Sequence, residues 1–486
     1  MEQFKAIEFY SKSKPHNYRL LPFRFSPLND DEYLLTNQVG EYLITTRQNI
    51  ERFARHSLLP SETFYKNLKS KHFLLDDDSD LPLELLGLKA RTKLHVLANF
   101  TALHMFVVSL RCEHSCPYCQ VSRQSDDKLA YDMSRETADR ALDLVFRSPS
   151  PSIKIEFQGG EPLLNFDLIK YIVEKAEHIN DIHSRDLGFV IATNLALIND
   201  DVLNYCRLHN ILISTSLDGP RDLHNANRPR PGGNSYELTV KGIEKARDFL
   251  GRDRVSALMT TTQASLLRVT EIIDEYVRLG FDGIFLRQLS PYGFAVKTKW
   301  YSSYSADEWL QFYKEGLKYI IQLNKQGVFF VEQFAATILT KILTPFDAHY
   351  VDLMSPAGAG IAAVVYNYDG SVYASDESRM LAEMGDPHFQ LGNVHRHTYE
   401  ELFLSDNLLD ALESSFAYSA PMCNDCAYEP YCGSDPVYHY RTQGDVVGHK
   451  PTSNFCRRNM EIIKMLIEMM SSDKETKRIF HSWVSV

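Results

Sequence analysis

The chain has 486 residues, too many for one ordinary hydrophobic core, and its length predicts two or three domains. A net charge of −11 and a pI near 5.9 argue against a nucleic-acid partner, which requires a basic face, while a basic peptide stays admissible. No apolar run of about eighteen residues exists to cross a membrane. The opening MEQFKAIEFYSKSKPHNYRL lacks the apolar segment and cleavage site of a secretion signal, so a cytoplasmic location is expected.

Residues 1–98 carry no cysteine. Tyr33–Thr36 and Tyr42–Thr45 flank a turn at Gln38, Val39 and Gly40 and predict a β-hairpin, followed by helical patterns at Gln48–His56 and Ser61–Lys69. Leu20–Phe25 reads as core or edge strand. From His104 to Leu289 apolar runs alternate with amphipathic stretches. The strand-like runs are His104–Leu110, Ile153–Phe157, Gly188–Ala192, Leu212–Ser216, Val255–Thr260 and Ile284–Leu289. Helical patterns between them include Ser134–Phe146, Asp167–His178, Leu238–Phe249 and Leu266–Leu279. Six strand–helix units in series predict a parallel sheet with right-handed crossovers, doubly wound or curved into a partial barrel. Ligands then belong at the carboxyl ends of the strands.

Chemically loaded residues sit at those ends. The first strand runs into RCEHSCPYCQ at Arg111–Gln120, which places Cys112, Cys116 and Cys119 on one loop. Three thiolates hold three corners of a four-iron four-sulfur cluster and leave one iron open, although zinc with His114 as fourth ligand fits the same residues. The second strand is followed by Gly159, Gly160, Glu161 and Pro162, where glycine lets the backbone approach a ligand closely. The third ends in Thr193 and Asn194, the fourth in Ser216, Leu217 and Asp218, with His224 and Arg228 beyond. Asp218 fits either a helix cap or a site.

Helical patterns at Ala306–Leu323 and Glu332–Leu343 precede a change of composition: Gly358–Gly360, a turn at Asp369 and Gly370, and Leu391–Val394. Cys423, Cys426, Cys432 and Cys456 then form a closed set, suited to zinc or to a fully ligated cluster. In a cytosolic chain the eight cysteines are expected as metal ligands rather than disulfides, and only Cys206, on the apolar side of a helix at Asp200–Leu208, reads as a plain buried thiol.

The C-x3-C-x2-C loop with Tyr118 before its last cysteine, the GGEP sequence after the second strand, and Ser216 twelve residues before Arg228 resemble the radical S-adenosylmethionine (SAM) enzymes. The cysteine-bearing tail and its lead-in resemble the SPASM extension of peptide and protein maturases. The resemblance covers roughly residues 100–460 and is strongest toward the SPASM-type maturase of the His-Xaa-Ser repeat peptide system.

It implies an α/β fold: a partial (β/α)6 barrel of the radical SAM type over 99–300, a small N-terminal α+β domain over 1–98, linking helices over 301–345, and a reduced SPASM-like iron–sulfur extension over 346–486. The N-terminal domain would be a peptide-holding, winged-helix-like module or a simple cap. Cys112, Cys116 and Cys119 would hold the open cluster. Gly159, Gly160 and Glu161 would engage the SAM amino group, and Ser216 and Arg228 would bind SAM with the arginine on its carboxylate. Tyr118 and Leu286 would flank the adenine, with Thr193, Asn194 and Asp218 at the same site. The second cysteine group would hold an auxiliary cluster.

The inner auxiliary cluster of full SPASM domains has its ligand positions near Ala357, at Ser375 and at Pro436, none of them cysteine, so two four-iron four-sulfur clusters are expected. Asp376 fits a catalytic base, as in the sulfatase-maturating relatives, or a solvated turn. The implied reaction is reductive cleavage of SAM to a 5'-deoxyadenosyl radical that abstracts hydrogen from a ribosomally made peptide, followed by oxidation or cross-linking. The implied partners are that peptide, with His-Xaa-Ser repeats in the closest case, and an electron donor such as flavodoxin or ferredoxin. Two alternatives stay open: a formylglycine-generating sulfatase maturase, and a zinc-stabilised peptide-binding scaffold without catalysis.

Overall fold

The computed structural model describes residues 18–76 and 80–484; the first seventeen residues, read above as lacking a secretion signal, lie outside them. Near the amino end, β1 (Tyr18–Leu20), β2 (Phe23–Pro27), β3 (Glu32–Asn37), β4 (Tyr42–Thr46) and β5 (Leu74–Asp76) build two small antiparallel sheets, in the orders β1-β5 and β2-β3-β4. The expected hairpin is β3–β4, with Leu34 opposite Ile44 and Gly40 in the left-handed conformation at its turn. Leu20–Phe25 contributes β1 and the edge strand β2.

The large sheet begins with β6 (Leu103–Ser109), β7 (Ser152–Gly159), β8 (Asp186–Thr193), β9 (Leu212–Ser216) and β10 (Val255–Leu258), all parallel to their neighbours. Successive strands stay adjacent from β6 to β10. A doubly wound sheet would reverse direction partway, so of the two architectures expected this is the singly wound, curved one.

In β7 the residues Ile153, Ile155 and Phe157 pack outward against the helices Arg135–Val145 and Phe166–His183. Lys154, Glu156 and Gln158 point the other way. That alternation makes the outer face a core and the inner face a polar cavity wall.

The sixth expected strand is different in the structure. Only β11 (Gly283–Ile284) is regular, and it pairs with β12 (Val331–Glu332) outside the large sheet. The segment after it stays tied to the sheet by Thr261 N–H donating to Arg287 C=O at 2.9 Å. On the opposite edge the sheet grows through β13 (Ala363–Tyr366), parallel to β6, then β14 (Ser371–Tyr373) and β15 (Gln390–Asn393), both antiparallel. The lead-in to the second cysteine group is thus part of the central sheet. Cys206 is fully buried, as its helix position implies. Among the described residues no helix is long and apolar enough to cross a membrane.

Candidate active site and second cysteine site

The loop after β6 is pinned at several points. Glu161 N–H donates to Arg111 C=O at 2.8 Å, Ser115 N–H to Pro229 C=O at 2.7 Å, and Phe294 N–H to Cys119 C=O at 2.7 Å. These bonds turn Cys112, Cys116 and Cys119 toward a cavity of about 240 Å3 at the carboxyl ends of β6–β10. Gly159 and Gly160 form part of its wall; a Cβ on Gly159 would stand 1.9 Å from Ser109 O, and one on Gly160 2.3 Å from Arg111 O. Backbone this close to the cysteine loop admits no side chain.

Tyr118, Thr193, Asn194, Ser216, Arg228 and Asp376 line the same cavity. Asp218 stands behind it, fully buried. Its carboxylate accepts from Tyr118 Oη at 2.5 Å, from Arg228 Nε at 3.0 Å and Nη2 at 3.2 Å, and from Thr260 N–H at 3.2 Å. Burial works to raise this carboxyl, but the Arg228 charge outweighs it and holds Asp218 below the ordinary range. The cap role is excluded: Pro220 is the N-cap of the next helix. Asp218 instead fixes Arg228 and Tyr118, which present the rest of their surfaces to the cavity.

Two of the expected residues, Glu161 and Leu286, stand outside the cavity wall. Glu161 does not line the cavity: its carboxylate lies fully buried beneath it, accepting from Thr193 Oγ1 at 2.7 Å, Asn194 N–H at 2.9 Å and Leu163 N–H at 3.0 Å. Burial and the nearby Glu113 charge push Glu161 up to about 7 against those donors, so its role is to organise the ends of β7 and β8.

Leu286 is likewise core, 0% exposed, and not in the cavity wall. The wall residue is its neighbour Arg287. Arg287 N–H donates to Phe285 C=O at 2.8 Å, a tight turn about Leu286 that leaves Leu286 in the core and Arg287 in the wall. The inner face also holds Glu156, raised to about 7 by burial and by Asp376.

Asp376 opens the helix Asp376–Ala382, and its Oδ1 accepts from Arg379 Nε at 2.9 Å, so it is an ordered cavity residue rather than a solvated turn.

Cys423, Cys426, Cys432 and Cys456 line a second cavity of about 500 Å3, with Lys450 and His439 beside them. Burial raises all four thiols, Cys423 to about 11 and Cys426 and Cys456 to about 12, so a bound metal must displace their protons. A tetrahedral zinc holds its thiolates roughly 3.8 Å apart, from a Zn–S bond near 2.3 Å. Among the described residues, the trio of potential ligand atoms within 4.8 Å of one another is Cys112, Glu113 and His114, so neither cysteine group is drawn together on that scale.

Three thiols on one loop and four in a closed set are the donor numbers of an open and of a fully ligated iron–sulfur cubane. His114 is also unavailable as a zinc ligand: Nδ1 bonds Glu113 at 3.0 Å and Nε2 bonds Ser235 Oγ at 2.8 Å. Both donor sets therefore fit iron–sulfur clusters.

Residues 106–263 match the family model of the Radical SAM superfamily, so the chain carries a radical SAM domain. It is 30% identical over 186 residues to an uncharacterized protein of Methanocaldococcus jannaschii, covering 38% of this chain and 61% of that one. The chain thus matches less than two thirds of that relative. Over 338 residues it is 22% identical to a cysteine-type anaerobic sulfatase-maturating enzyme of Clostridium perfringens, covering 66% of this chain and 84% of the enzyme.

Two solved structures share the fold. Native anSMEcpe with bound AdoMet superposes with a TM-score of 0.62 at 18% identity, covering 79% of this chain and 99% of that one. Streptococcus suis SuiB bound to precursor peptide SuiA gives 0.53 at 13% identity, with 88% and 97% covered. The architecture is the α/β radical SAM fold with a cysteine-bearing C-terminal extension.

Proposed function

We propose that this protein is a radical SAM peptide maturase carrying two four-iron four-sulfur clusters. The observation that carries the reading is the convergence of Cys112, Cys116, Cys119, the Gly159–Gly160 backbone, Ser216 and Arg228 on one cavity. Cys112, Cys116 and Cys119 would hold the open cluster, and Cys423, Cys426, Cys432 and Cys456 the auxiliary one. When bound, the open cluster supplies an electron to SAM and so a 5'-deoxyadenosyl radical. Arg228, steadied by Asp218, orients the methionine carboxylate, and Ser216 offers it a hydroxyl. Tyr118 supplies a ring held in place by its bond to Asp218. The oxygen of Asp376 that Arg379 leaves free would be a proton acceptor in the cavity wall.

SuiB bound to precursor peptide SuiA and anSMEcpe bound to a peptide support a peptide as substrate. The particular peptide system we favour is the His-Xaa-Ser repeat one, with flavodoxin or ferredoxin as donor and the domain boundaries given above. The bonds that occupy both ring nitrogens of His114 count against a zinc site on the first cysteine loop. The sulfatase-maturating alternative keeps one observation in its favour, the 84% coverage of the Clostridium enzyme.

The test is anaerobic reconstitution with iron and sulfide, then dithionite and SAM, measuring 5'-deoxyadenosine and iron. About eight irons and nucleoside formation are expected. A Cys112→Ala protein that still makes 5'-deoxyadenosine overturns the reading.

A further inference from the structure

A smaller cavity, of about 50 Å3, adjoins the first, and Arg287 stands in the walls of both. Three carboxylates, Asp352, Glu377 and Asp435, face it together with Arg287 and Arg458. They come from separate pieces of chain: the turn Val351–Leu353, the helix Asp376–Ala382, the cap of Pro436–Gln443, the segment after β11, and the helix Asn454–Ser472.

Arg458 is already engaged, donating to Gln288 Oε1 at 3.2 Å and lying over the Phe334 and Phe455 rings. Arg287 makes no hydrogen bond or close ion pair through its guanidinium among the described residues; only longer-range charges act on it. No side chain among them bonds the carboxylate of Asp352 or Glu377. Tyr292, 1% exposed, has a hydroxyl without a partner and stands in the field of the same three acids.

Burial pushes all three carboxyls up, Glu377 to about 7, so they ionise together only when a further positive charge enters among them; the wall then carries one more negative charge than positive. A divalent metal is a poor fit: the three carboxylates do not come within 4.8 Å of one another as a ligand set, and two guanidiniums repel a doubly charged ion. A single positive charge matches the imbalance. The stacked pair Phe285 and Phe334, with centroids 5.6 Å apart, and the edge-on Tyr350 ring complete an aromatic wall suited to an organic cation. The volume admits roughly four water-sized groups, the size of a guanidinium or imidazolium head.

Resting on the peptide reading above, we propose that this cavity receives one basic side chain of the substrate, an ammonium, guanidinium or imidazolium group. The residue so held would be anchored beside the SAM cavity, with Arg287 as the partition between the two.

The test titrates the purified full-length protein with the N-acetyl methylamides of arginine, lysine and histidine, and with that of norleucine as the uncharged control. The signal is fluorescence of Trp309, which lines the cavity, with Trp309→Phe as the reference. Saturable binding of at least one basic probe is expected, none of norleucine, and at least tenfold weaker binding in Glu377→Gln and in Asp352→Asn. Equal binding of norleucine, undiminished binding in both variants, or displacement of the probe by Mn2+ overturns the proposal. Should both variants misfold by circular dichroism, Tyr292→Phe takes their place, and unchanged affinity there is equally fatal. No step uses SAM cleavage, so a protein that binds the probe yet forms no 5'-deoxyadenosine refutes the enzymatic reading and leaves this one standing.

Discussion

Gly160 shows how a single missing side chain sets the site. A Cβ there would meet the Arg111 carbonyl at 2.3 Å, and backbone cannot move aside as a flexible side chain can. Gly160→Ala is expected to cut 5'-deoxyadenosine formation at least tenfold, checked alongside iron content to separate loss of the loop from loss of SAM contact. At Asp218 the stakes are electrostatic. Removing one partner of a buried pair costs about 3–5 kcal/mol because the other charge is left alone. Asp218→Asn should therefore lower the melting temperature and raise the KM for SAM at least tenfold. Glu156 runs the opposite way. Its folded carboxyl sits at about 7 against an ordinary 4.5, so between those values the unfolded chain gives up its proton first and stability falls as pH rises. Glu156→Gln removes that penalty: its stability, read from melting curves, should nearly match the parent at pH 4 and exceed it at pH 8, by about 3 kcal/mol. The cysteines, the glycine pair and the Ser216–Arg228 spacing were legible because their chemistry needs those residue types. Arg287 was not, since it lies past the last regular strand residue, at a tight turn where no periodicity assigns faces.

Elements were legible where the pattern is local. The runs that became β6–β10 are apolar stretches bounded by polar residues, and Leu212–Ser216 is found at the expected bounds. The addition of β13 to the edge of β6 was not legible, because parallel pairing of residues about 260 positions apart leaves no trace in either segment's periodicity. The small sheet β2-β3-β4 has an equally non-local role. Arg24 pairs with Glu429 at 3.0 Å and donates to Asn424 C=O, Thr36 Oγ1 donates to Ala427 C=O at 2.7 Å, and Tyr431 Oη donates to Gly40 C=O at 2.8 Å. This sheet is therefore a clamp on the loop that carries Cys423, Cys426 and Cys432. Disturbing that loop should be felt in the clamp. In Cys432→Ala, amide exchange across Leu34–Gly40 is expected to quicken, while exchange in β6–β8 stays near the parent rate. Uniform acceleration everywhere would mean global destabilisation and would refute the local coupling.

At the scale of the whole molecule, the clamp changes what the amino-terminal region is for. Leu28 and Leu34 belong to the same buried cluster as Tyr428, Tyr431 and the helices Ala306–Lys325 and Asn454–Ser472. That cluster reaches the outer side of the barrel through Ile213, Ala257 and Ile284. Residues 18–76 thus complete a core shared with the far end of the chain, besides holding a small core of their own around Phe53 and Tyr65. A detachable leader-binding module would leave the rest folded when removed. Here removal strips cover from Tyr431 and Tyr428, each worth about 1.5–3 kcal/mol of burial, and takes from the buried Glu429 its ion pair with Arg24. A chain starting at residue 99 should therefore melt at least 10 °C lower than the full-length protein, or fail to fold, and should lose iron from the second cysteine group before the first. Iron counting on the truncated and full-length proteins after matched reconstitution checks this directly. A truncated protein that keeps about eight irons and its melting temperature would show that the amino-terminal region is an independent module after all.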